Sequence, residues 1–373
     1  MLKAYQYRLY PKKSQRTALN QTLEQCRMVY NRVLVIRKDA WEKERKRIGY
    51  YETKKLLPLW KKEYPSMKNI HSQVLQDVVT RVDLAYKAFF RRVKAGEEPG
   101  HPRFKQFGRY DSITYTQSGF ELKGQKLILS KIGEVPIITH RKYEGNVKTC
   151  TIRRSRTGKW FASISVEINN LPVQNNQKPA IGIDLGITKF ITCSNGDVVE
   201  NPKFFKTDES ALAKAQRKFS KQMKGTVKKR QSAMIVSKIH ERIANRRKDF
   251  AHKISRKLVD NHSLIVFEDL NVKEMVQDSD YSKSIHDVAW NTLVIMTQSK
   301  AEEAGCHVVL IDPHYTSQTG SSCGHVEADN RKSQAKFVCL KCGHSENADI
   351  NAAKNILGLG LQSVAITGQP VTA

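Results

Sequence analysis

No apolar run in this 373-residue chain approaches the roughly 20 residues that crossing a bilayer requires, and no signal-peptide pattern opens it. The expectation is a cytosolic protein with no membrane partner. Cysteine is scarce and odd in number, seven in all. Cys26, Cys150, Cys193 and Cys306 are scattered, whereas Cys323, Cys339 and Cys342 cluster. That pattern argues against a disulfide framework and for buried thiols plus one metal site. Acidic residues are in short supply: 36 Asp+Glu against 64 Lys+Arg leave a formal net charge of +28. The surplus is spread along most of the chain, as expected of a protein that meets a polyanion such as nucleic acid.

With acids so few, a carboxylate set among apolar residues or glycines stands out. The stretch 180 to 192 reads AIGIDLGITKFIT. As a strand it puts Ile181, Ile183 and Leu185 on one face and Gly182, Asp184 and Gly186 on the other. The second face is then bare except for Asp184, with room for a hydrated metal or a phosphate. A lone Asp at a strand end is commonly a turn former, so Asp184 needs partners. Two are found downstream. SLIVFEDL at 263 to 270 is an apolar strand ending in Glu268 and Asp269, which face opposite ways; Leu264, Val266 and Glu268 share one side. NADINAAKNIL at 347 to 357 reads as a helix with Asp349 in its first turn, on the same face as Ala353, Ile356 and Leu357. An acid on a core-facing helix side is costly unless paired or metal-bound. Asp184, Glu268 and Asp349 together suit two Mg²⁺ ions about 4 Å apart, one activating water and one stabilising a leaving 3′ oxygen. The implied chemistry is phosphodiester hydrolysis. Without metal, mutual repulsion should raise at least one of their pKa values.

The remaining chain divides by periodicity. Residues 3 to 10 form a short strand stopped by Pro11. Ser14 is the expected N-cap of a long amphipathic helix through Leu19, Leu23, Cys26, Tyr30 and Val33. A second helix runs through Leu75, Val78, Val82, Ala85 and Phe89 and stops at Gly96. Residues 11 to 98 thus read as a helical bundle. From Gly100 the period becomes that of strands, at 112 to 116, 126 to 129, 135 to 138, 147 to 154 and 160 to 168, and the first strand should join them because it cannot satisfy its own edges. Residues 1 to 10 and 99 to 172 make a β-barrel-like unit with the bundle inserted. LPVQNNQK at 171 to 178 is the expected linker. From Ser210 to Asp260 two basic helices form a hairpin around Gly225; Lys228, Lys229, Arg230, Arg242, Arg246, Arg247, Lys253 and Arg256 are the candidate contacts to a nucleic-acid backbone. Residues 358 to 373 lack periodicity and read as a loose tail.

The motifs IGIDLGITKF, IVFEDL and NADINAAKNI, with HERIANRRKDFAHKISRKLV at 240 to 259 and DPHYTSQTG at 312 to 320, resemble in order and spacing the TnpB (OrfB) proteins of insertion sequences. The resemblance covers essentially the whole chain. It implies an α+β multidomain protein: a wedge-like β-domain, a helical recognition bundle, and an RNase H-like (RuvC) nuclease domain over 179 to 315 and 346 to 373. A small zinc-ribbon-like insert would occupy 316 to 345. It also implies a prokaryotic, transposon-encoded, RNA-guided DNA endonuclease acting at the nucleoid. Asp184, Glu268 and Asp349 would be the Mg²⁺ triad, and the partners a guide RNA from the transposon end and double-stranded DNA bearing a short flanking motif. RNA guidance follows from the resemblance alone. A non-cleaving binding regulator, or a guide-independent structure-specific nuclease, stays open as an alternative.

The insert departs from the family pattern of two CxxC pairs. Cys339 and Cys342 are complete, but the first pair reads Gly320-Ser321-Ser322-Cys323. Three thiolates leave a tetrahedral Zn²⁺ site one ligand short. The fourth place falls to His325, His344 or water, or the site takes no zinc.

Overall fold

The computed structural model describes residues 2–168, 177–271, 275 and 290–367. The expected linker lies mostly outside the described residues. The chain forms two compact units, 1–169 and 170–373.

In the first unit, strand β1 (Leu2–Leu9) buries Tyr5, Tyr7 and Leu9 and exposes Gln6, as its alternation dictates. It pairs antiparallel with β7 (Trp160–Glu167) along its whole length, from Leu2 opposite Glu167 to Leu9 opposite Trp160. Its end also pairs with β5 (Gly133–Ile138). Added to these are β2 (Ser112–Tyr115), β3 (Phe120–Lys123), β4 (Lys126–Leu129) and β6 (Asn146–Arg154), in the order β2-β6-β7-β1-β5-β4-β3. The two edges nearly close the sheet on itself, with the Tyr115 ring 6.3 Å from Phe120 and its hydroxyl donating to the Ser130 carbonyl. Strand β3 is missing from the sequence expectations because Phe120 to Lys123 is too short and polar to announce itself.

The helices of this unit are α1 (Lys13–Glu44), α2 (Tyr50–Lys55), α3 (Leu57–Glu63) and α4 (Ser72–Lys94), with a 3₁₀ turn at Pro65–Asn69. Helix α1 starts earlier than expected: Lys12, not Ser14, is the N-cap, and the Gln15 side chain accepts from its N–H. The buried stripes of α1 and α4 belong to one hydrophobic core with the sheet, running from Tyr7 through Leu23 and Leu75 to Ile152. Arg81 of α4 joins the helix to β2, donating to Ser112 and Thr114 while pairing with Asp77. Its guanidinium is therefore spent inside the unit rather than offered to a ligand.

The second unit has a five-stranded mixed sheet ordered β10-β9-β8-β11-β12. Its strands are β8 (Ala180–Leu185), β9 (Lys189–Cys193), β10 (Val198–Glu200), β11 (Leu264–Glu268) and β12 (His307–Ile311). Strand β11 lies parallel to both β8 and β12. Its helices are α5 (Phe204–Ser220), α6 (Val227–Asn261), α7 (Trp290–Ala304) and α8 (Ala348–Thr367). One face of the sheet, with Ile181, Ile183, Leu185, Ile265 and Phe267, packs on Leu258, Val259, Trp290 and Leu293. The other, with Leu264 and Val266, packs on Ile356 and Val364 of α8. The two-residue period expected for β8 and β11 is met on both.

Two expectations are corrected here. The loose tail from 358 is instead the second half of α8 up to Thr367, with Val364 buried on the sheet. A glycine-containing helix of weak polarity contrast gives little periodic signal, yet tertiary packing holds it. Gly182 of β8 also does a different job from the one expected. A Cβ on Gly182 would stand 2.2 Å from the Ala353 carbonyl, so this glycine lets α8 lie against the strand, leaving no space for a ligand there. Among the described residues, no helix is long and apolar enough to cross a membrane.

Candidate functional site

The strand order places β8 beside β11, and α8 covers the same face, so the three acids singled out in the sequence come from adjacent elements. Asp184 sits one residue before the end of β8, paired across the sheet with Thr192. Glu268 ends β11, is buried, and accepts a 2.6 Å hydrogen bond from the Thr316 hydroxyl. Asp349 lies in the first turn of α8, where its N–H donates to Asn347 Oδ1. A carboxylate at a helix N-terminus is favoured by the helix dipole.

Asp184 feels the charge of both other acids, although the three carboxylates do not all bring ligand atoms within 4.8 Å of one another as the cysteine cluster does. Burial first, then the negative charges of Glu268 and Asp349, push the Asp184 carboxyl up to about 7. Burial likewise raises Glu268, opposed by the Thr316 hydrogen bond and by Arg331. Two cations temper the cluster: Arg331 lies 3.6 Å from Asp349 Oδ1 and Lys189 3.8 Å from Oδ2. Their presence on Asp349 is consistent with carboxylates that still need positive charge. Thr316, Arg331 and Lys189 are site residues that motif reading missed. Lys189 and Thr316 lie inside stretches already singled out, IGIDLGITKF and DPHYTSQTG. Arg331 has no local signature, because the insert's turns alone bring it back to α8. Asp269, adjacent to Glu268, is exposed and donates its N–H to Ile311.

The thiols form a second centre. Among the described residues, Cys323, Cys339 and Cys342 are the only group of three or more His, Cys, Asp or Glu whose ligand atoms lie close enough to share an ion, all within 4.8 Å. Cys323 Sγ and Cys339 Sγ are 3.4 Å apart. The Cys342 N–H, aided by the Cys323 thiol and the Lys341 N–H, draws the Cys339 thiol down to about 7. A low-pKa thiol held by backbone N–H groups, with two further thiols beside it, is suited to bind a thiophilic cation such as zinc. The two histidines weighed as fourth ligands point elsewhere: His325 Nε2 is 2.9 Å from Glu327, and His344 Nε2 faces Glu346 at 3.6 Å. The insert is a two-stranded ribbon, β13 (Lys336–Val338) with β14 (Ser345–Asn347), over a small core of Phe337, Cys339 and Ala348.

The basic helices are less free than their sequence suggests. Arg242 and Arg246 both bond to Asp208, a buried acid of α5, and Arg246 also lies 4.8 Å over the Phe204 ring. Lys253 pairs with Asp249 and Arg256 with Asp260. The Lys229 ammonium caps the Phe219 carbonyl and lies over its ring. Arg247 also has an internal partner. Lys228 and Arg230 are exposed. Asp208, Asp249 and Asp260 thus take four of the eight nominated cations.

Comparison with known proteins places the chain among relatives. Family profiles described as "Helix-turn-helix domain", "Probable transposase" (OrfB_IS605) and "Cas12f1-like, TNB domain" match residues 1–46, 163–278 and 290–356. The first span holds a strand and one unbroken 32-residue helix in this chain. A "Putative RNA-guided DNA endonuclease" of Streptomyces pristinaespiralis is 33% identical over 370 residues, covering 97% of this chain and 90% of the relative. Its counterpart InsQ of Escherichia coli strain K12 is 32% identical over 377 residues, covering 96% and 92%. A CRISPR-associated endodeoxyribonuclease Cas12f1 of Sulfoacidibacillus thermotolerans is 30% identical over 55% of this chain and 51% of its own. Among solved structures, the mini-RNA-guided endonuclease CRISPR-Cas_phi3 superposes with a TM-score of 0.52 at 10% identity, covering 100% of this chain and 93% of that one, a likeness of fold. The chain belongs to the TnpB (OrfB) family of insertion-sequence proteins.

Proposed function

We propose that this protein is an RNA-guided, divalent-metal-dependent DNA endonuclease carried by a transposable element. The observation that carries the proposal is the electrostatic coupling of Asp184 to Glu268 and Asp349, three acids delivered by β8, β11 and α8 in a protein of formal net charge +28. Burial contributes most to raising Asp184 to about 7, and the charges of Glu268 and Asp349 add to it. A structural carboxylate would be paired or exposed, whereas a site awaiting cations tolerates the penalty. In this reading β8 to β12 and α8 form an RNase H-like (RuvC) nuclease fold. The 1–10 and 99–172 strands serve as a wedge and the 11–98 helices as a recognition bundle.

Asp184, Glu268 and Asp349 would hold two Mg²⁺ ions, which when bound supply an activated water and stabilise the leaving 3′ oxygen. The chain's own residues prepare that site. Thr316 fixes the Glu268 carboxylate by its 2.6 Å hydrogen bond. Arg331 and Lys189 lower the local negative potential, so that the acids can ionise near neutral pH and a phosphodiester can approach. Exposed cations such as Lys228 and Arg230 remain available to the nucleic-acid backbone. Sequence reading falls to base pairing with a guide RNA from the transposon end, while the protein reads a short flanking motif on the target duplex. The two relatives named as RNA-guided DNA endonucleases match along nearly the whole chain, which supports the assignment.

The test begins with the RNA. Protein purified from cells that carry its native flanking DNA should bring with it an RNA ending in guide sequence. A preparation free of RNA that cleaves DNA with undiminished rate would contradict RNA guidance.

A further inference from the structure

The ligand count of the cysteine cluster is three, and the structure shows where the fourth would be. A Cβ on Gly320 would stand 3.2 Å from Cys339 Sγ and 3.5 Å from Cys323 Sγ. The glycine backbone thus lies against the corner where a fourth thiolate would project. Neither histidine of the insert joins the group of three sulfurs; His325 Nε2 bonds to Glu327 and His344 Nε2 lies 3.6 Å from Glu346. Cys323 and Cys342 are exposed, so small molecules in solvent can reach the sulfurs.

The insert is also built to stand without a fourth ligand. Asn330, fully buried, donates to the carbonyls of Gln318 and His325 and accepts from the Leu340 N–H. Asn351, also fully buried, accepts from the Ser321 N–H and donates to Thr319, and Asn355 donates to Thr316 and Thr319. These amides pin both knuckle loops to each other and to α8. A closed four-thiolate site commonly supplies the folding energy of such a ribbon; here hydrogen bonds share that task.

We propose that Cys323, Cys339 and Cys342 form an open metal site. They hold one thiophilic divalent cation, zinc first, and leave the corner facing Gly320 to an exchangeable monodentate donor from solvent. Three protein ligands plus a replaceable fourth is the composition of zinc sites that stay chemically accessible, whereas closed four-ligand sites are structural. Metal at such a site exchanges readily and takes up imidazole or a small thiol without displacing protein.

Cobalt reports this directly. The full-length protein is stripped of metal under reducing conditions and loaded with Co²⁺. The thiolate-to-cobalt charge-transfer band then isolates this site from carboxylate and nucleic-acid binding. One equivalent should produce that band, and titrated imidazole should shift the d–d bands saturably. In Gly320→Cys the d–d bands should ignore imidazole, and a chelator should remove the cation more slowly by at least about tenfold, the scale on which metal affinity responds to altered ligation. Should that variant fail to fold, the wild-type titration decides together with His325→Ala and His344→Ala, both of which should leave the cobalt spectrum unchanged. The absence of a thiolate band, a wild-type spectrum indifferent to imidazole, or a spectrum altered by either histidine substitution would overturn the proposal.

Discussion

A carboxyl pushed up to about 7 is one that the folded, metal-free protein prefers protonated, and this fixes the direction of several measurements on Asp184. In the unfolded chain an Asp ionises near its usual value of about 3.9. The folded state therefore loses stability as pH rises from about 4 to about 7, because unfolding releases a proton over that window. Asp184→Asn removes the penalty. It should raise the melting temperature of metal-free protein by an amount that grows between about pH 4 and pH 7, where the stability difference reaches on the order of a few kcal/mol. A melting difference that is flat with pH would show that the acid is not held in the environment described. Arg331 works the other way, since its charge lowers both Asp184 and Glu268. Arg331→Ala should shift the rising limb of the cleavage pH profile to higher pH; an unshifted limb with only a reduced plateau would assign Arg331 to another role.

At the scale of elements, the contact between β8, β11 and α8 decides whether the acids meet at all. Gly182 and Gly360 are the points of closest approach: a Cβ on Gly360 would lie 2.3 Å from Val266, just as one on Gly182 would collide with the Ala353 carbonyl. Gly182→Ala and Gly360→Ala should each cost about 1–3 kcal/mol in urea unfolding, the range for overpacking. Gly358, exposed on the same helix with nothing within 4 Å, is the control. Gly358→Ala should stabilise by about 0.5–1 kcal/mol, because alanine is the better helix former. If all three behave alike, close packing is not what these glycines serve. The helix pair α5 and α6 offers a parallel case. Asp208→Ala would leave Arg242 and Arg246 without their buried acceptor and should cost about 1–3 kcal/mol, read by the same unfolding.

The same elements mark how far the sequence could be read. Strands β8 and β11 were legible because apolar alternation with period two survives in a sheet buried on both faces. Their acids could be nominated because carboxylates are few in this chain and Asp349 offered a third on a core-facing helix side. The second half of α8 was not, since Gly358 and Gly360 break the apolar stripe and the helix is held by packing against Val266 and its neighbours. The role of Gly182 was misread for a related reason. A glycine beside an acid looks like space for a ligand, and only the position of α8 shows that the space is filled by backbone. Arg331 and Lys189 were unreadable as site residues, because long-range folding sets which of 64 basic side chains reaches the acids.

At the scale of the whole molecule, the formal net charge is +28 although many basic side chains are committed internally, to Asp77, Asp83, Asp208, Asp249 and Asp260. Affinity for nucleic acid should accordingly arise from many exposed Lys and Arg together and fall steeply with salt. Lys228→Ala with Arg230→Ala should reduce the slope of log affinity against log salt by about 1–2, the share of two backbone contacts. An unchanged slope would place the nucleic acid away from the start of α6.

The central claim, that Asp184, Glu268 and Asp349 form one metal-dependent nuclease centre serving an RNA-guided protein, is tested most directly by a single cleavage comparison. Wild type and Asp184→Ala are each purified with their co-expressed RNA and incubated with Mg²⁺ and a DNA duplex matching the guide, with and without chelator. The account predicts cutting of the matched duplex by wild type with Mg²⁺, none with chelator, and a loss of at least about a thousandfold in Asp184→Ala, whose RNA content stays the same. Cleavage by Asp184→Ala at the wild-type rate would contradict it.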